Sequence, residues 1–413
     1  MNIAIIGAGI SGMVTAYLLC EEHEVTVFEA NDYIGGHTHT VDVEVEGGSY
    51  AVDTGFIVFN ETTYPDFVKL LKRLDVPWQP STMSFSFKDE RTGLEYSPSS
   101  LGTFFAQRRN LLRPSFYGLI RDIFRFRRES QKLLDVEDWN TTLGDYLSKE
   151  GYSRRFVDEF IIPMGAAIWS ADPASFRQTP ARFFAQFFHN HAFLHIKQPQ
   201  WLTIRGGSRS YIDPLTAPYR DRIRLSCPVR QVLRFDDRVS VTMGDGTTAD
   251  YDAIVLATHS DQALGMLADP SEAEREILGA LPYQENETVL HTDTALLPRL
   301  RRVWSAWNYI VPREAQARVA VTYDMNILQG IKAPVEFCVT LNRSQAADPE
   351  KVLRRFVYHH PAYTPEAVRA QKRRDEINGV NRTYFCGAYW RYGFHEDGVK
   401  SALAVCNHFG KGL

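Results

Sequence analysis

No stretch of the sequence comes near the ~18 consecutive apolar residues of a membrane-spanning helix. No basic segment precedes the first apolar run, which begins at Asn2, so no export signal is expected. Positive charge is not in excess either: the net charge of −4 argues against bulk attraction to nucleic acid, and no nucleic-acid partner is expected. Cysteine is scarce and scattered. Cys20, Cys227, Cys338, Cys386 and Cys406 form no C-x-x-C pair, which leaves neither a disulfide framework nor zinc-ligand spacing and fits a reducing cytoplasm. A nucleophile elbow is missing as well, because "GGSRS" lacks the glycine after its serine. What is present is ordinary for a globular protein, with 44% apolar and 23% charged residues. At 413 residues the chain is long enough for two or three packed units.

The first of these units opens with "NIAIIG", a buried-strand run, followed by "ISGMVTAYLLCEE" with apolar residues at helical spacing. "EVTVFEA" reads as a second strand ending in an acid, Glu29. Gly7, Gly9 and Gly12 then fall in the strand-to-helix turn of a βαβ unit. Gly7 permits the tight turn, Gly9 lets backbone approach a pyrophosphate, and Gly12 lets helix and strand pack closely. The helix start presents free N–H groups to the phosphates. Glu29 is placed to accept the ribose hydroxyls, and its charge disfavours a 2′-phosphate. The unit reads as a dinucleotide site.

Three further segments distinguish FAD from NAD. "YIGGHTHT" (33–40) places a glycine pair directly after the second strand, which an NAD domain does not require. "YAVDTGFIVFN" (50–60) offers an extended segment with a glycine where a flat ring can lie against backbone. Near the end, "RTYFCGAYWRYGFHEDGVKSALAVCNHF" reads as strand, glycine turn and a helix opening at about Asp397-Gly398, whose N-terminus can stabilise negative charge on a reduced flavin.

With these segments in this order the chain resembles the flavin amine oxidase and phytoene desaturase superfamily, whose fold is similar to that of glutathione reductase. The likeness runs from end to end through Gly7–Gly12, Glu29, Gly35-Gly36-His37, Asp53-Thr54-Gly55, "RGGSRSYIDPL" (205–215), Val229 and "FCGA…EDGVKSA". It implies an α/β architecture: a glutathione-reductase-like, FAD-binding Rossmann domain with a mixed α+β substrate or cap domain. It also implies FAD contacts from Gly7, Gly9, Ile10, Ser11, Gly12, Glu29, Ala30, Gly36, His37, Thr38, Thr54, Gly55, Phe56, Val229, Gly387, Asp397, Gly398 and Val399. Three departures stand out. His37 replaces the usual arginine, Ala388 replaces the usual acid, and no cysteine occupies the tethering position of monoamine oxidases, which implies non-covalent FAD. Within the superfamily, "GGHTHTV", "VDTGFIVFNETTYP", "QWLTIRGGSRSYI", "VLHTDTALLP" and "WSAWNY" resemble a bacterial branch linked to cyclopropane-, methyl- and furan-fatty-acid synthesis.

The expected organisation is discontinuous. Residues 1–60, 205–265 and 380–413 carry the cofactor segments, leaving 61–204 and 266–379 for the substrate or cap domain. "RIRLSCPVRQVLRFDDRVSVTMGDGTTADYDAIVLATH" alternates as strands with a "GDG" hairpin, and "YDAIVLAT" reads as a buried parallel strand rejoining the main sheet. No second G-x-G-x-x-G occurs, so electrons are expected to pass to oxygen, a quinone or another acceptor rather than to NADPH.

On the substrate side, residues 101–134 hold eight Lys or Arg against two acids, interleaved with apolar residues at helical spacing. This basic amphipathic pattern suits an anionic membrane surface, or equally a cap helix with a solvated basic face. "RFFAQFFHNHAFLHI" (182–196) offers Phe187 and His191 as lining for an apolar tunnel. His189, His191 and His195 match neither helix nor strand ligand spacing as a set, so no metal is expected. "RRVWSAWNYIVP" puts Trp304, Trp307, Asn308 and Tyr309 forward as a substrate cage, with Tyr389 from the closing segment. Packing alone would also account for such aromatics. His395 stands before the closing helix and is the candidate proton acceptor.

Three functions are open at this point. The first is hydride abstraction from an unsaturated or methylated fatty acyl chain, with a phospholipid-borne substrate and a cytoplasmic protein at the inner membrane face. The second is oxidation of a small amine, which calls for an acidic anchor in an aromatic cage. The third is a flavin-bearing accessory to a lipid methyltransferase.

Overall fold

The computed structural model describes residues 1–191 and 199–413. A five-stranded parallel sheet forms one half, in the order Ile223–Arg224, Glu24–Phe28, Asn2–Ile6, Ala253–Leu256 and Thr383–Phe385. Ile3, Ala4, Ile5, Ile254, Val255 and Leu256 are fully buried, as expected for strands covered on both faces. The helix Ile10–Leu19 and the closing helix His395–Asn407 cover one face, together with Met13, Val14 and Val399 in a single core. Their contact is close enough to require glycine: a Cβ at Gly398 would lie 2.7 Å from Ile10 Cγ2. On the other face, Ala4, Ile6 and Phe28 pack against a meander of Val229–Arg234, Val239–Met243 and Thr248–Tyr251. The expected "GDG" turn joins the last two strands, with Gly246 at φ 88°.

A seven-stranded mixed sheet forms the other half. Its order is Val352–Pro361, Tyr283–His291, Cys338–Leu341, Ala320–Asp324, Trp307–Val311, Phe85–Asp89 and Leu94–Tyr96. All neighbours are antiparallel except Trp307–Val311 with Phe85–Asp89. Helices Pro114–Glu129, Ile162–Trp169 and Ala181–Asn190 pack on it through Phe87, Tyr96, Phe116, Phe126, Phe184 and Phe187. In the first of these, proline at the first turn supplies a preset φ without losing a needed N–H, and Phe116, Leu119 and Phe126 form the buried stripe. Among the described residues no helix is long and apolar enough to cross a membrane.

Basic residues of the 101–134 stretch remain on the surface beside apolar ones. Leu101, Leu112, Tyr117 and Phe124 are 73%, 88%, 51% and 59% exposed, and Arg108, Arg109, Arg113, Arg121 and Arg128 are exposed among them.

Candidate active site

A cavity of about 880 Å³ runs between the two sheets. At one end its wall is the first turn. Gly7 adopts φ 101° and Gly12 has no room for a side chain, since a Cβ there would sit 1.9 Å from Gly7 O. Gly9 differs: its φ of −74° suits any residue and a Cβ would meet no protein atom within 4 Å. Protein packing therefore does not explain this glycine, whereas a pyrophosphate lying against the turn would. The residues present fit a dinucleotide in that respect.

Glu29 is buried beside the turn. One carboxylate oxygen accepts from Ala8 N at 2.8 Å, the other from Asn31 N and Nδ2 at 2.9 and 2.8 Å. The oxygen that accepts from Ala8 retains a second lone pair for a ribose hydroxyl, while the other is filled by the two Asn31 donors. Ala30, Cys227, Pro228 and Val229 continue this wall, and Cys227 N donates to Glu29 O at 2.8 Å.

The glycine pair docks onto the turn. Gly35 N donates to Ala8 O at 2.9 Å, and a Cβ on Gly36 would come within 3.3 Å of Gly9 Cα. The "VDTGF" segment locks onto the same loop: Phe56 N donates to His37 O at 2.7 Å, and a Cβ on Gly55 would lie 2.3 Å from that oxygen. Asp53 anchors the pair from below, accepting from Thr40 Oγ1, Ser208 N and Ser208 Oγ. Burial pushes its carboxyl up to about 6, against those hydrogen bonds.

Of the residues assigned to the cofactor from sequence, Gly7, Gly9, Ile10, Ser11, Glu29, Ala30, Gly36, His37, Thr54, Gly55, Phe56, Val229 and Gly387 line the cavity. Gly12, Thr38, Asp397, Gly398 and Val399 stand behind it. Thr38 Oγ1 contacts His395 Nε2 and Tyr211, Asp397 Oδ2 accepts from Tyr392 N and Phe394 N to cap the closing helix, and Gly398 O accepts from Ser11 Oγ at 3.0 Å. Val399 is core. The helix does point its start at the cavity, but through His395 rather than Asp397.

His395 stacks on Phe56, with ring centres 3.6 Å apart and planes at 7°. Its Nε2 lies 2.7 Å from Tyr211 OH and 3.1 Å from Thr38 Oγ1. Burial holds the imidazole well below its ordinary pKa, so it is neutral. Tyr211 comes from the "RGGSRSY" segment, and sequence reading missed it because its partner lies 184 residues away.

Among the substrate candidates, Phe187, His191, Trp307 and Tyr389 line the cavity. Trp304, Asn308 and Tyr309 do not. Trp304 Nε1 donates to Pro298 O, Asn308 is fully buried between Ser86, Ser305 and Thr322, and Tyr309 stacks on Phe87 in the core. Strand alternation turns Asn308 to the side opposite Trp307, whereas Tyr309, on the same face as Trp307, is one step deeper in the aromatic core, and Trp304 precedes the strand. Residues that the sequence did not single out complete the wall: Met83, Ile168, Trp169, Trp201, Tyr323, Leu341, Tyr358, His360 and Phe394. His191 stacks on Phe187 and is held neutral by burial, its pKa lowered to about 4. His195 lies outside the described residues. Among the described residues no cluster of three His, Cys, Asp or Glu side chains is arranged to hold a metal. Beyond Glu29, no carboxylate lines the cavity among the described residues.

The sequence model described as "flavin containing amine oxidoreductase" matches residues 10–294. A flavin-dependent L-tryptophan oxidase from Lentzea aerocolonigenes is 25% identical over 273 residues, 59% of this chain and 54% of that protein, so the match spans about half the relative's length. Two solved structures share the fold across almost the whole chain. Cyclohexylamine oxidase from Brevibacterium oxydans superposes with a TM-score of 0.70 at 17% identity, covering 99% of each chain. A fatty acid isomerase from P. acnes gives 0.69 at 16% identity, covering 98% of each.

Proposed function

The chain belongs to the flavin-containing amine oxidoreductase family, a family of FAD-dependent enzymes, and from that premise we propose that it dehydrogenates an unsaturated or methylated fatty acyl chain. The observation that carries this reading is the wall beyond the dinucleotide turn. It is built from Ile57, Met83, Ile168, Trp169, Phe187, Trp201, Trp307 and Leu341, and among the described residues it offers no carboxylate to hold an ammonium group. An alkyl chain loses its hydration there at a gain of roughly 0.8 kcal/mol per buried CH₂. Bound FAD supplies the hydride acceptor. The protein's residues position the chain, exclude water with the aromatic wall, and take the proton at His395, whose neutral imidazole is held through Nε2 against Tyr211 OH and Thr38 Oγ1, two hydroxyls that can relay the proton onward. Oxygen, a quinone or another acceptor then reoxidises the enzyme.

A phospholipid-borne substrate is part of the proposal. The exposed Leu101, Leu112, Tyr117 and Phe124 among five exposed arginines form a surface that an anionic bilayer fits by both charge and apolar insertion. A second reading, oxidation of a small amine, is favoured by the aromatic side chains Trp169, Phe187, Trp307 and Tyr323, which can hold a cation by their faces.

Anaerobic mixing of the FAD-loaded protein with bacterial phospholipid and with a panel of amines separates the two. The expected result is bleaching of the flavin band by lipid. Bleaching by amines alone would overturn the acyl reading. Flotation with anionic liposomes tests the surface separately: neutralising Arg108, Arg109, Arg113, Arg121 and Arg128 should abolish binding, and unchanged binding refutes it.

A further inference from the structure

His37 touches both the cofactor loop and the far sheet. It lines the cavity, follows the Gly35-Gly36 pair, and its Nε2 lies 3.2 Å from Nε2 of His360 on the strand Val352–Pro361. Two ring nitrogens at that distance need one proton between them, and which ring supplies it is set further back in the protein.

The assignment starts from backbone groups whose roles are fixed. Asn342 Oδ1 accepts from Glu287 N at 3.1 Å, and its Nδ2 donates to Val319 O at 3.0 Å. The amide of Asn342 therefore has one orientation. Its Nδ2 also donates to Asn286 Oδ1 at 2.7 Å, which turns the Nδ2 of Asn286 toward His360 Nδ1 at 2.9 Å. An amide nitrogen can only donate, so His360 Nδ1 is the acceptor and the ring carries its proton on Nε2. That N–H donates to His37 Nε2, and the proton of His37 is left on Nδ1. Asn286 is fully buried and Asn342 nearly so, so water does not scramble the chain. No protein group among the described residues partners His37 Nδ1.

We propose that the Asn342–Asn286–His360 chain fixes His37 as its Nδ1–H tautomer, making it a neutral hydrogen-bond donor to an acceptor atom of the bound dinucleotide. Asn286 and His360 are then positioning residues that act through His37. The inference rests on FAD binding and is independent of what the enzyme oxidises. Burial supports neutrality, with His37 lowered to about 4 and His360 well below its ordinary value. The groups around the pair reinforce this. His39, His259 and His359 face it and oppose any added positive charge, and Tyr358 lies with its ring 4.8 Å from that of His37. The acids Asp261 and Glu285 reach the cluster only through His259 and His359.

The substitution Asn286→Asp tests the chain because it changes a donor into an acceptor at almost constant shape. The carboxylate keeps the contact with Asn342 but draws the His360 proton to Nδ1. His37 must then protonate on Nε2, and its Nδ1 turns a lone pair to the cavity. FAD affinity of the apoprotein, followed by quenching of flavin fluorescence, should fall about tenfold at pH 8–9, the worth of one hydrogen bond. It should recover as the pH is lowered, because the new carboxylate beside His360 favours an extra proton on the pair, which restores a donor. A loss that is equal at every pH indicates packing damage and overturns the proposal. In a His37→Gln background, where no tautomer exists, Asn286→Asp should have no pH-dependent effect. Nitrogen-15 spectra of the wild-type protein give a reading that needs no variant: His37 should show the Nδ1–H pattern and His360 the Nε2–H pattern, and the reverse refutes the assignment.

Discussion

Gly9 and Gly12 stand in the same motif, yet the structure gives them different reasons to be glycine, and alanine at each position separates those reasons. At Gly9 the backbone (φ −74°, ψ −179°) is ordinary for alanine and the new methyl meets no protein atom within 4 Å. Alanine is a poorer helix cap than glycine by up to about 1 kcal/mol, while the loss of unfolded-state freedom returns about 0.4–1 kcal/mol. These nearly cancel, so the melting temperature of the apoprotein should move by no more than about 2 °C. The methyl instead projects where the dinucleotide must approach. Losing one charge-assisted hydrogen bond there, about 1.5–3 kcal/mol, weakens FAD binding about ten- to a hundredfold. Gly12→Ala should do the opposite. Its Cβ falls 1.9 Å from Gly7 O, so the turn must open even without cofactor, at about 1–3 kcal/mol. Circular dichroism melts of the apoproteins and flavin fluorescence titrations measure both quantities. The reasoning is wrong if Gly9→Ala binds FAD like the wild type, or if Gly12→Ala melts at the wild-type temperature.

Other expectations concern the rest of the molecule. His291 is fully buried, accepts from Asp293 N on Nδ1 and contacts Thr340 Oγ1 through Nε2, and its pKa is lowered to about 4. A lowered histidine contributes stability above about pH 6.5 that is lost as pH falls toward 4, so the urea-measured advantage over His291→Gln should shrink by about 2 kcal/mol between pH 7.5 and 5; a constant difference refutes it. Arg234 lies buried between Glu274 and Asp269, so Arg234→Met should cost about 3–5 kcal/mol and Arg234→Met/Glu274→Leu much less, and equal losses in denaturant titrations would count against an uncompensated charge as the cause. Trp307→Ala should change the rate of substrate-dependent flavin reduction, whereas Trp304→Ala, away from the cavity wall, should leave it unaltered in stopped-flow traces. If the two behave alike, the cavity wall has been drawn wrongly.

The sequence alone determined the strand–turn–helix–strand unit, because glycine spacing, buried apolar runs and the acid at Glu29 are local signals that act within about thirty residues. It likewise marked "GGHT", "VDTGF" and the closing segment, where glycine is required by close backbone approach, as at Gly55 and Gly398. Tertiary structure decided what no local pattern encodes. Alternation along Trp307–Val311 says that neighbours face opposite ways, but only pairing with Phe85–Asp89 and Ala320–Asp324 fixes which side meets the cavity and turns Asn308 from it, while Tyr309, on the face of Trp307, is taken up by the core against Phe87. Tyr211 reaches His395, and Asn286 and His360 reach His37, only because segments far apart in sequence are brought together by the two sheets. The direction of a proton along such a chain depends on which buried amide is held by which backbone group, and that is a property of packed neighbours rather than of residue order.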